Sequence, residues 1–114
     1  MNLDELKYNI MEKKILAEID ELLREHYPED IEKIKLYGSR SRGDANKFSD
    51  YDILVILKHD YDWKFKNELR SVLYELDIKY DIFIDTRLIS KAELQTIKGK
   101  LPFIQNAFKE GISA

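Results

Sequence analysis

Residues 37–52 read YGSRSRGDANKFSDYD and bring two glycines, three serines, two arginines, a lysine and three aspartates between two apolar runs. Two parts of this stretch could do chemistry. At its start, Gly38 and Ser39 follow the run that ends at Leu36 and Tyr37. A glycine there lets the backbone turn tightly, so that successive N–H groups point outward as a nest for an anion. The Ser39 hydroxyl adds a donor for a phosphate oxygen. Arg40, Arg42 and Lys47 supply positive charge suited to a polyphosphate. At its end, Asp50 and Asp52 open the next apolar run, with ten residues between Ser39 and Asp50. On a strand, positions 50 and 52 share a face while Tyr51 points away.

Two adjacent carboxylates repel each other and raise one pKa unless a cation lies between them. Hard oxygen ligands suit Mg²⁺, which is commonly held by one or two carboxylates plus substrate phosphates. A third carboxylate on a neighbouring strand would complete such a site. The segment KYDIFID supplies Asp81, with Asp85 sharing its strand parity as the alternative. Asp81 stands inside an apolar run, where an unpaired carboxylate is expensive. Its ordinary explanation is a salt bridge to Lys79, Arg40 or Arg42. In a two-metal site, ions about 3.5–4 Å apart activate the attacking oxygen and stabilise the leaving one. A glycine–serine turn beside such carboxylates is apparatus for nucleotidyl transfer. Each part alone is an ordinary surface feature; their order along the chain is what points to chemistry.

The elements that must position these groups follow from periodicity. Leu3, Leu6, Ile10, Ile15, Ile19, Leu22 and Leu23 recur at helical spacing, predicting an amphipathic helix over 3–26 that Pro28 closely follows. Its MEKK and EID segments fall on the outer side, available to a partner. IEKIKLYG predicts a short strand that stops at Gly38, and DYDILVILK a central strand buried on both faces. DWKFKNELRSVLYELD predicts a helix capped by Asp62, with Trp63, Phe65 or Lys66, Leu69, Val72, Leu73 and Leu76 on its inner face. IKYDIFID has strand composition. SKAELQTI begins as a capping box with Ser90 and Glu93, and LPFIQNAFKEG predicts a last helix with Pro102 in its first turn and Gly111 past its end. Tyr37, Tyr74 and Tyr80 sit in core-like patterns, and Tyr51 is expected to pack beneath the sheet. His26 and His59 lack ligand spacing and are expected at the surface. The expected fold is α/β of the α+β type: a small mixed β-sheet covered by helices, in one domain over residues 1–114.

Composition narrows the function. The chain has 114 residues, 44% hydrophobic and 36% charged, with a net charge of −3. That supports a real core and argues against direct nucleic-acid binding, which favours a basic excess. With no cysteine, disulfides, thiolate metal sites and cysteine catalysis are excluded, and a reducing cytoplasmic setting is expected. The charged N-terminus does not read as a signal peptide, and no apolar run approaches ~20 residues, so no membrane span is expected.

The stretch GSRSRGDANKFSDYDILV resembles the Gly-Ser…Asp-x-Asp signature of the DNA polymerase β-like nucleotidyltransferase superfamily, and most closely its minimal nucleotidyltransferase (MNT) branch. The leading helix, the YDIF segment and the LPFIQNAFKEGI ending extend the likeness over most of the chain. The resemblance implies a palm-like nucleotidyltransferase fold with Gly38 and Ser39 on the nucleotide phosphates and Arg40 and Arg42 steadying them. It implies two Mg²⁺ held by Asp50, Asp52 and Asp81, with Asp81 also activating the acceptor hydroxyl. ATP would be the substrate. The branch pairs with HEPN-domain toxins, which implies an antitoxin that transfers AMP to a tyrosine of its partner. Two rivals stand beside this reading. One is an antitoxin that acts by binding alone; the other is an antibiotic-type, small-molecule nucleotidyltransferase that uses a separate acceptor-binding subunit.

Overall fold

The computed structural model of the protein describes the backbone of residues 3–42 and 49–114, and the side chains of all of these but residues 4–9. The chain opens with α1 (Leu3–His26), β1 (Ile31–Tyr37), the single helical turn α2 (Ser39–Arg42) and β2 (Tyr51–Leu57). It continues through α3 (Trp63–Tyr80), β3 (Ile84–Ser90), the short α4 (Lys91–Leu94), a 3-10 turn (Ile97–Lys100), α5 (Pro102–Glu110) and β4 (Ile112–Ser113). The four strands form one mixed sheet in the order β3-β2-β1-β4. β2 runs antiparallel to β1 and parallel to β3, which the intervening α3 makes possible.

β2 is the central strand that its unbroken apolar sequence predicts. Tyr51, Ile53, Val55 and Leu57 pack with α1 and α3, while Leu54 and Ile56 face Ile89, Ile104 and Ala107. Asp52, at the alternate position before Leu54, therefore belongs to the second face, the one that α5 covers at its far end. On α1 the stripe Leu16, Ile19 and Leu23 is buried, and Glu12 lies on the same stripe at 3% exposure. MEKK is thus not wholly an outward segment, because its glutamate points into the protein.

α3 starts where the Asp62 carboxylate accepts the Phe65 N–H at 2.9 Å, as a capping residue should. It buries Leu69, Leu73 and Leu76. Trp63, expected inside, is 69% exposed, and Tyr74, also expected inside, is 61% exposed. Trp63 sits in the first turn ahead of the stripe, and Tyr74 is one helical step round from Leu73. Tyr51 and Tyr37 are buried as expected, whereas Tyr80 is half-buried and its hydroxyl donates to Glu18. His26 and His59 are both at the surface.

The largest departure from the sequence reading lies in residues 78–85. The helical stripe carries on past Leu76, so α3 runs to Tyr80, and Asp81 caps it in the left-handed conformation (φ 52°, ψ 53°). The Ile82 N–H then returns to the Asp77 carbonyl at 3.0 Å, closing the helix end. An established helix propagates over residues whose own preference is for strand. β3 consequently begins three residues beyond Asp81, at Ile84. Downstream, Ser90 and Glu93 form the expected capping box, but it holds a single turn. Pro102 and Gly111 bracket α5 as expected, and the two-residue β4 beyond it was not foreseen. Among the described residues no helix is long and apolar enough to cross a membrane.

Candidate active site

β1 delivers the chain to Gly38, whose φ of +73° is the left-handed region open to glycine. Space demands glycine there as well: a Cβ would lie 2.3 Å from the Asp52 Oδ2. The turn and the carboxylate are therefore in direct apposition, and only the missing side chain allows it. The Gly38 carbonyl accepts the Ser41 N–H at 3.1 Å, the Arg42 N–H at 3.3 Å and the Ser41 hydroxyl at 2.8 Å. Those bonds stiffen the turn. Ser39, half-buried, starts α2, and the first amides of a helical turn have no acceptor within it.

Asp52 is flanked by Tyr37 on one neighbouring strand and by Asp85 on the other, at matching register. Burial pushes the Asp52 carboxyl above the ordinary carboxylate range, and the charges of Asp85 and Asp50 push it further, against a weaker pull from Arg87 and Arg42. Burial likewise takes the Tyr37 hydroxyl up to about 12, with Arg87 opposing and Asp52 and Asp85 adding to it. Arg87 stands two residues beyond Asp85 on the same strand face, its Nε 4.0 Å from Asp85 Oδ2 and its guanidinium 4.6 Å from the centre of the Phe103 ring. Tyr37, Asp52, Asp85 and Arg87 thus share one end of one sheet face.

The structure separates the four carboxylates expected at the site. Asp50 precedes the first residue of β2 and lines a groove of about 690 Å³ together with Met11, Glu12, Arg40, Tyr51 and Asp81. Asp81 is exposed on that groove and lies on no strand, because α3 extends to it. Asp85, not Asp81, is the residue across from Asp52. Asp50 belongs to both regions, since it lines the groove and its charge reaches Asp52.

The two arginines differ as sharply. Arg42 is exposed, 3.3 Å from Glu110 Oε2, and its charge acts on Asp52. Arg40 is turned inward at 6% exposure. Its Nη1 donates to Glu12 Oε1 at 3.0 Å, and its Nε and Nη2 donate to the Ser49 carbonyl at 3.2 and 2.8 Å. The guanidinium also lies 4.3 Å from the centre of the Tyr51 ring. These contacts turn the Arg40 guanidinium toward Glu12, Ser49 and Tyr51. Lys47 lies outside the described residues.

Glu12 was expected on the outer side of α1 with the rest of MEKK, and Arg87 went unremarked in the sequence. Glu12 had a signal: it occupies a position of the apolar stripe continued by Leu16, Ile19 and Leu23. Arg87 had none, because its meaning comes from the alignment of β3 against β2.

Chemically, the end of the sheet offers a hydrogen-bonded glycine turn against a pair of carboxylates, one of them paired with Arg87. Among the described residues no three acidic or imidazole groups already surround a common point. The donor set nonetheless fits Mg²⁺ in its usual manner, through one or two hard carboxylates completed by substrate phosphates. The raised pKa of Asp52 marks where a cation would relieve repulsion.

Comparison with known proteins identifies relatives of the chain. The family described as "Polymerase beta, Nucleotidyltransferase" matches residues 17–113. A Methanocaldococcus jannaschii protein named "Putative protein adenylyltransferase" is 32% identical over 100 residues, covering 88% of this chain and 94% of the relative. A chain from a crystal structure of a toxin–antitoxin with AMP-PNP superposes with a TM-score of 0.59 at 27% identity, over 85% of this chain and 69% of that one. A chain from a mutant of the toxin–antitoxin MntA-HpeT does so with a TM-score of 0.57 at 26% identity, over 86% and 69%.

Proposed function

Because the chain belongs to the polymerase β nucleotidyltransferase family, we propose that it transfers AMP from ATP to a tyrosine hydroxyl of a partner protein, a HEPN-type toxin that it thereby silences. Membership makes the chain a nucleotidyltransferase. The protein acceptor is supported by the name of the archaeal relative, and the toxin by the toxin–antitoxin structures it resembles. The nucleotide is supported by AMP-PNP in one of those structures. The observation that carries the reading is the contact permitted by Gly38: its absent Cβ sets the turn against Asp52, which faces Asp85.

In this reading Gly38 and Ser39 hold the triphosphate through backbone N–H groups and the Ser39 hydroxyl, and Arg42 adds positive charge from the rim. Asp50, Asp52 and Asp85 would hold Mg²⁺ together with the phosphates. When bound, the ion neutralises the charge that accumulates on the transferring phosphate. The acceptor oxygen attacks the α-phosphorus, its O–H proton passes to the Asp52–Asp85 pair, and the bond from the α-phosphorus to the bridging oxygen breaks, releasing pyrophosphate. Asp85 takes the part that the sequence offered first to Asp81, because it lies beside Asp52.

The test uses α-labelled ATP, Mg²⁺ and the co-expressed toxin. Wild type should label the toxin, and Asp50→Ala combined with Asp52→Ala should reduce labelling about 10³-fold or more. Equal labelling by both proteins would overturn the enzymatic reading. If the double variant still silences the toxin at equal expression, binding alone is the antitoxin's mode of action.

A further inference from the structure

Arg40, Glu12 and Tyr51 form a charged cluster beneath the site. Arg40 is 6% exposed, Glu12 3% and Tyr51 2%. Glu12 Oε1 takes both the Arg40 Nη1–H at 3.0 Å and the Tyr51 O–H at 2.8 Å. Among the described residues Glu12 Oε2 is buried with no hydrogen-bond partner. Packing alone gives little reason for such a group, because replacing a buried ion pair with apolar residues is often neutral or stabilising. What the cluster joins is more telling. Arg40 belongs to the turn just after Gly38, Glu12 to α1, and Tyr51 to the start of β2. Two donors of Arg40 converge on the Ser49 carbonyl, and its plane stacks on Tyr51. Arg40 therefore grips the residues on both sides of Asp50 and ties them to the Gly38 turn.

We propose that Arg40, anchored by Glu12, is a positioning residue that sets the separation between the phosphate-binding turn and the Asp50–Asp52 carboxylates. The inference rests on the nucleotidyl-transfer reading above. Residues 40 and 49 are nine apart in sequence, and the guanidinium links them directly. A planar fork with several fixed donors can hold a carbonyl, a carboxylate and a ring at once; a lysine ammonium cannot. If the separation is right, a metal held by the carboxylates and the phosphates held by the turn strengthen each other's binding. Loss of Arg40 should weaken that coupling even where each half still binds.

The measurement is the ratio of AMP-PNP dissociation constants in EDTA and in saturating Mg²⁺, taken on folded, monodisperse protein. Coupling between two bound species is commonly about 5- to 150-fold. Wild type should show a ratio in that range, and Asp52→Asn a ratio near one. Arg40→Lys should lower the wild-type ratio by about tenfold or to near one, while AMP-PNP affinity in EDTA stays within about threefold. A merely structural role would lower the melting temperature and leave the ratio of the folded protein unchanged. A wild-type ratio in Arg40→Lys overturns the positioning role. Should Arg40→Lys fail to fold, Glu12→Gln, nearly isosteric and still an acceptor, carries the test: a drop of about threefold supports the role and no drop overturns it. A wild type that neither binds AMP-PNP nor responds to Mg²⁺ defeats instead the functional reading beneath it.

Discussion

Two carboxylate clusters meet on either side of Asp50, and burial raises the pKa of the central acid in both. In the first, Glu12 is desolvated, with Tyr51 and Arg40 bonded to it directly and pulling the other way. In the second, Asp52 is desolvated and then pushed further by Asp85 and Asp50, while Arg87 and Arg42 act only through their charge. One cluster carries its cation hydrogen-bonded to the central acid; in the other, among the described residues, Arg87 pairs with Asp85 at 4.0 Å, cations reach Asp52 only through their charge, and more negative charge gathers. A self-contained cluster suits holding elements in place. A cluster short of positive charge suits a site completed by something that binds. Similar acids in similar burial are given different tasks by what stands next to them.

The sharpest way to break that contrast is at Gly38. Gly38→Ala puts a methyl where Asp52 Oδ2 lies 2.3 Å away and strains a positive φ. Transfer activity should fall about 100-fold through misplacement of the turn, with a stability loss of about 1–2 kcal/mol, read by labelling and by denaturant melts. Wild-type activity in this variant would mean that the turn and the carboxylate need not touch.

A second comparison separates the two candidates for the third carboxylate. Asp85→Asn should cost about 100-fold in transfer rate and Asp81→Asn less than about threefold, measured with label at saturating ATP. The reverse order would move the site from the sheet face to the groove.

The smallest effect follows from the raised pKa of Asp52. A carboxyl whose pKa rises on folding holds its proton more tightly in the folded state. Its contribution to stability is therefore present below its unfolded value of 3.8 and is lost as pH climbs through the raised folded value. In EDTA, Asp52→Asn removes that loss. Its melting temperature should exceed wild type at neutral pH, and the gap should close toward pH 4. Mg²⁺ should stabilise wild type and leave Asp52→Asn unmoved. A lower melting temperature for Asp52→Asn at neutral pH would show that the aspartate is stabilised by contacts within the protein.

Much of this could be read before any coordinates. The Gly38–Ser39 turn, Asp50 and Asp52 at the head of an unbroken apolar run, the Asp62 cap, the Ser90–Glu93 box and the Pro102–Gly111 bracket are all local signals. Each depends on a few neighbouring residues, whose stereochemistry and periodicity belong to the chain itself. Only the tertiary structure could decide among residues whose local patterns are equivalent. Asp81 and Asp85 have the same parity in the same apolar segment; which of them stands across from Asp52 depends on how far α3 propagates and where β3 then aligns against β2. Arg40 and Arg42 are two apart in one polar turn; one turned inward because Glu12, twenty-eight residues earlier, waits on a helix stripe to receive it. Strand register and buried charge pairing are long-range agreements between segments, and no window of sequence contains both parties to them.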